Sequence, residues 1–212
     1  KRDPQEAGIA FGEQVGMAKF QYMLNSALAA AVAAVTTTGL TYDGTAAVAD
    51  LPSLNNGARL FGDRSASIVT WVMHSKSLHD IYGQSLQNSN RLFVFDTVQV
   101  MEDGFNRILV MTDSPALFFD NAGTDNYYQL GFVPNAVMVE DNGDSTVFEE
   151  TKTEFVNAKK LIKEEASFNL GIKGMTYGGP VQPGDADLAL AANWTQVATS
   201  TKDTALVAAI TL

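Results

Sequence analysis

An α+β fold is what this sequence predicts, on three observations. One long stretch, residues 13–36, carries helical periodicity. Residues 67–172 hold short apolar and β-branched runs separated by Gly, Asp, Asn and Pro. Residues 193–197 and 205–212 then return to strand-like composition. Helices and strands segregated in this way, with no internal repeat, point to α+β and not to alternating βα units.

The helix is the clearest element. Val15, Phe20, Met23, Leu24, Ala27, Leu28, Ala31, Val32 and Val35 follow three-and-four spacing, no proline interrupts them, and Gly39 is a natural stop. Its alanine-rich half allows a partner element to approach closely. Residues 40–57, rich in Gly, Asp, Asn and Thr and containing Leu51-Pro52, read as a loop or linker. Residues 61–65 can open a short helix and residues 67–73 form a strand. Ser75 then serves as N-cap for a helix through Leu78, Ile81 and Tyr82. Residues 92–101 and 107–112 are two strands around the turn at 102–106, and Asp113-Ser114-Pro115 ends the second. Residues 127–139 form a strand broken by Pro134. Asn142-Gly143 gives the strongest hairpin signal and leads into a strand at 146–156. Residues 166–172 form another strand. Glycines and prolines from 174 to 185 bridge to a helical turn or two at 186–192, and the two final strands follow.

Composition narrows the function. The chain has 212 residues, 46% hydrophobic and 18% charged, which is globular and large enough for a substantial core. Its formal charge of −10 disfavours binding to phosphate backbones through the whole surface. With no cysteine there are no disulfides, thiolate metal sites or cysteine nucleophiles. The most apolar run, residues 27–35, is far shorter than the ~20 residues a membrane span needs. Asn193-Trp194-Thr195 is a chance match to a glycosylation acceptor. The chain opens on Lys1-Arg2-Asp3-Pro4, without methionine, so an upstream segment is expected to have been cleaved, disordered or left out.

Reactive chemistry is sparse. The stretch at 66–83 holds both histidines, His74 and His79, but five residues separate them and no third ligand is spaced to join them. Their expected role is capping or surface. Ser75 lies beside His74 without a nucleophile-elbow motif around it. The pairs Glu149-Glu150 and Glu164-Glu165 point to opposite faces of strands, so neither pair shares a substrate. Lys159, Lys160 and Lys163 form the one basic cluster, followed at once by the two glutamates. It reads as a self-compensating surface, or alternatively as a salt-bridging surface between subunits. Asp141-Asn142-Gly143-Asp144 lacks the spacing of a calcium loop. No cofactor or metal motif is found.

Several pieces, in order, resemble the major capsid proteins of tailed phages of the Hong Kong 97 type. They are Phe61-Gly62-Asp63, then Trp71-Val72-Met73-His74-Ser75-Lys76 with its short helix, and residues 107–115. Residues 168–177 follow, and then Asp187-Leu188-Ala189 and Asn193-Trp194. The resemblance implies the Hong Kong 97-like capsid fold. Residues 1–39 would be an N-terminal segment and spine helix of a peripheral domain. Residues 40–150 would be the axial domain, and residues 151–212 the return to the peripheral domain. The amino-terminal arm and extended loop expected before the spine helix are not seen in the dozen residues there. The resemblance further implies a virion protein, assembled in the host cytoplasm, that packs as hexamers and pentamers of itself. Portal, scaffold or decoration proteins are possible partners. Double-stranded DNA would be enclosed without specific binding, with no membrane, catalytic residue or cofactor involved. The residues expected to serve assembly are Ala27 and Ala31 on the spine helix, and Lys159, Lys160 and Lys163. The rival readings are an encapsulin-type compartment shell, a carboxylate hydrolase using Asp113, Glu140 or Asp141, and a β-rich adhesion or decoration module.

Overall fold

A computed structural model describes residues 4–87, 101–102, 107–153 and 158–212. Helix α1 runs from Pro4 to Thr38, 35 residues and roughly 52 Å at 1.5 Å per residue. It begins nine residues before the expected start. Proline is tolerated in a first helical turn, and no breaker follows it. It stops where expected: Gly39 has φ +68°, and the Thr36, Thr37 and Thr38 hydroxyls donate to carbonyls of the last turns.

The expected loop at 40–57 instead contains strand β1, Thr41–Asp43, and helix α2, Leu51–Arg59. Pro52 lies in the first turn of α2, where no backbone donor is needed, and the Asp50 carboxylate accepts from Ser53 N–H at 2.7 Å. A 3₁₀ turn at Gly62–Ser67 leads to β2, Thr70–Met73, and α3, Ser75–Gln87. Of the strand expected at 92–101, residues 92–100 lie outside the described residues. Strand β3, Met101–Glu102, pairs antiparallel with β4, Ile108–Met111, as the expected hairpin requires.

The rest of the chain is mostly strand: β5 (Phe118–Asn121), β6 (Thr124–Phe132), β7 (Val137–Asp141), β8 (Thr146–Thr153), β9 (Ala158–Glu165), β10 (Phe168–Ile172) and β11 (Met175–Tyr177). Helix α4 (Asp185–Leu188), β12 (Trp194–Gln196) and β13 (Leu206–Thr211) complete it. The main sheet has the order β1-β13-β6-β2-β4-β3, with β5 pairing the outer part of β6. Strand β13 is parallel to β1 and antiparallel to β6, so residues 206–211 lie within the same sheet as residues 41–132. Trp71, Phe61, Leu130, Val207 and Ala208 are fully buried there, and the alanine-rich half of α1 belongs to the same core. Buried Gln129 joins three elements: its Nε2 donates to Ser77 Oγ on α3, to Thr211 Oγ1 on β13 and to the Tyr127 carbonyl.

Asn142-Gly143 does not turn a β7–β8 hairpin. Strand β7 pairs with β10, from Asp141↔Phe168 to Ile172↔Val137, while β8 pairs with β9, from Thr146↔Glu165 to Thr153↔Ala158. The two ladders are successive parts of one long antiparallel excursion. Its first strand carries four residues, 142–145, where the return strand carries two, 166–167. This is a bulge, with Gly143 at φ +68°. The boundary at 150/151 falls inside β8.

Candidate assembly surfaces

The strand-to-helix junction at 73–76 is the first place to look for chemistry. His74 is the cap of α3: its carbonyl accepts from Leu78 N–H, and its Nδ1 accepts from Lys76 N–H at 3.2 Å. With Nδ1 so occupied, the neutral ring carries its proton on Nε2, which faces Asp113 Oδ1 at 3.6 Å. Asp113 in turn accepts from Ser75 N–H at 3.3 Å. Hydrogen bonds from Ser75 hold the Asp113 carboxyl below its usual range, so it stays ionised at neutral pH. The capping role expected of His74 is what the geometry shows, but the cap is His74 and not Ser75, which is the first helical residue. Ser75 is thus tied to the Asp113 carboxylate, and His74 Nδ1 is taken by Lys76 N–H. Asp141 is engaged elsewhere, accepting from Lys19 Nζ on α1 at 2.6 Å, and Glu140 precedes it on β7. Of the three carboxylates of the hydrolase reading, Glu140 and Asp141 are therefore neighbours on β7, where successive side chains point to opposite faces, and Asp113 follows β4. Among the described residues, no group of three or more His, Asp or Glu side chains is placed to hold a metal ion.

Surfaces carry more information than clefts. Ala27 and Ala31 lie on the buried stretch of α1, packed within the chain itself. This part of α1 meets the 3₁₀ turns at Pro115–Leu117 and Ala191–Asn193, α4 and β12. Ser26 Oγ donates to Asp185 Oδ1 at 2.9 Å and Thr37 Oγ1 to the Ala191 carbonyl at 2.9 Å, fixing the C-terminal part of the helix.

At the far end of the long excursion, Lys159 and Lys160 lie on β9 opposite Lys152 and Thr151. Lys163 pairs with Glu165 two residues along the same strand, so its charge is compensated within the chain. The excursion is thus polarised in sequence: Glu149, Glu150, Glu164 and Glu165 lie toward its base, and Lys152, Lys159 and Lys160 toward its end.

The bulge is held by Asn142 and Asp144, which the sequence marked as turn residues, together with Ser167 and Asn169, which it did not single out. Asp144 accepts from Ser167 N–H at 2.8 Å and from its hydroxyl at 2.5 Å; Asn142 Nδ2 donates to Ser167 Oγ, and Asn169 Nδ2 to Asn142 Oδ1. Hydrogen bonds from Ser167 and Lys19 hold the Asp144 and Asp141 carboxyls, respectively, below the ordinary range. The Asp141 contact also raises Lys19.

This architecture is a long helix carrying an elongated two-stranded arm, with a mixed sheet beside it and reactive groups tied up in caps. Comparison with protein families decides the class: the family model "Gp13-like: Major capsid protein 13-like" matches residues 1–208. The chain belongs to this family. It is a structural protein of a phage capsid, and its place is the virion. No curated protein matches the chain significantly. Among the described residues, no helix is long and apolar enough to cross a membrane.

Proposed function

We propose that this capsid protein is the subunit of an icosahedral head shell enclosing the double-stranded DNA of a tailed phage, built on the Hong Kong 97-like fold. The observation that carries the reading is the family match over residues 1–208, joined to a helix of 35 residues that acts as a spine for the arm and the sheet. In this reading α1 and the arm β7–β10 form the peripheral part, and the main sheet forms the axial part near the centre of each hexamer or pentamer. The C-terminal return then contributes its last strand to the axial sheet. The subunit works by repeated contacts with copies of itself, each modest alone and strong together. A net charge of −10 suits a wall that encloses DNA without holding it.

Electron microscopy of the purified protein tests this. Closed isometric shells built of hexamers and pentamers are expected. A chain that stays a lone unit under every assembly condition would refute the reading. Shells that enclose a protein cargo in place of the genome would favour the encapsulin-type alternative.

A further inference from the structure

The first half of α1 exposes a face with no partner among the described residues. Ile9, Met17 and Phe20 are 66%, 73% and 71% exposed, and Leu24 38%. At 100° per residue these four fall within an arc of about 80°, with Glu13 between Ile9 and Met17 in the same arc. Continued along the helix, the same arc contains Ala27, Ala31 and Val35, all buried in the core. The core-facing stripe of α1 therefore runs on beyond the body that covers it. On its other side the helix is already engaged, through the Lys19–Asp141 ion pair and the edge-on contact of Tyr22 with Phe168 at 5.9 Å.

Three properties identify what covers the stripe. The first is area. Taking ~200 Å² for a large apolar side chain, the four leave roughly 500 Å² open, the upper end of what a lone protein exposes. One partner in a stable pair buries about 800 Å², so the face supplies more than half of such a contact. The second is charge. Copies of a chain carrying −10 repel one another, and residues 9–28 bring little of that charge: Lys19 is paired with Asp141, which leaves Glu13. Copies can meet here at a small part of that penalty. The third is shape. Gly16 borders the arc, and a Cβ built there would meet nothing within 4 Å. It weakens the helix relative to alanine and serves no packing among the described residues, but lets another backbone come close.

We propose that the open face of α1, formed by Ile9, Met17, Phe20 and Leu24, is covered by a second copy of this chain. The inference rests on the shell reading and adds the surface through which copies meet.

The absence of native cysteine makes the test direct. Phe20→Cys is alkylated with a maleimide in isolated subunits and in multimers. At least tenfold slower alkylation in multimers is expected. Equal rates in both overturn the inference and leave the shell reading standing. Slow alkylation already in the isolated subunit means that the chain covers its own helix, and also overturns it. Failure of the wild-type chain to form any multimer overturns the shell reading and the inference with it. Gly16→Leu provides a second measurement: an unchanged or higher melting temperature of the subunit with at least tenfold fewer multimers is expected, and an undiminished yield overturns the inference.

Discussion

Ala31→Asp separates folding from assembly. Ala31 is fully buried, and its neighbours belong to its own chain. An aspartate there is too short to reach water. Left ionised, it is an unpaired buried charge, on a scale of about 3–5 kcal/mol. Protonated instead, its pKa must rise by about three units, which amounts to about 4 kcal/mol at neutral pH. Both routes give about 4 kcal/mol, against a total of about 5–15 kcal/mol for a domain. At about 2–4 °C per kcal/mol for a chain of this size, the isolated subunit melts about 8–16 °C lower. The sign with pH is fixed too. The introduced carboxyl has a folded pKa above its unfolded one, so the penalty is full at neutral pH and shrinks as pH falls toward the unfolded value. Thermal unfolding of the isolated subunit at pH 7 and pH 4.5 checks both. A melting temperature within 3 °C of wild type, together with loss of particles, would refute the reasoning and place Ala31 against a neighbouring copy.

Gly131 shows a different constraint: a Cβ there would sit 3.0 Å from the Trp71 ring and from Val207, so Gly131→Ala is expected to destabilise by about 1–3 kcal/mol, read as a lower urea midpoint. Asp141 and Asp144 have depressed folded pKa values, so their contribution is present above the ordinary carboxylate range and is lost as pH falls through the folded values. Asp144→Asn should flatten the acid limb of the stability profile between pH 5 and pH 2, and an unchanged profile counts against the bulge network. Lys160→Glu reverses a charge toward the end of the arm; lower particle yield or heat resistance is expected if that end meets a neighbour, and unchanged values remove Lys160 from assembly.

The long helix and the final strand were legible because periodicity and composition there are uninterrupted. Other elements were hidden for identifiable reasons. Leu51-Pro52 carries the same letters whether proline breaks a helix or opens one, and the Asp50–Ser53 contact decides it. Strand β5 is short, and its turn puts Ala122 at φ 54°, a position where the sequence shows no glycine. Asn142-Gly143 has hairpin chemistry but serves a bulge, because pairing partners are chosen by the whole sheet and not by four residues. The same limit applies to the assembly surfaces. Ala27 and Ala31 were readable as a close-packing face, yet composition does not say whose atoms pack there. Ile9 was missed because the helix was begun at Glu13, and Met17 did not join the periodic set.

Strand β13 lies between β1 and β6, although more than 160 residues separate it from β1. Neither neighbour has a full complement of backbone partners until residues 206–211 arrive. A ribosome-bound intermediate lacking them leaves the middle of its sheet unzipped, and such long-range closure is slow. On the shell reading proposed above, a subunit competent to join its neighbours would need residues 206–211 already in place, so that half-made pieces would be kept from the shell's edge.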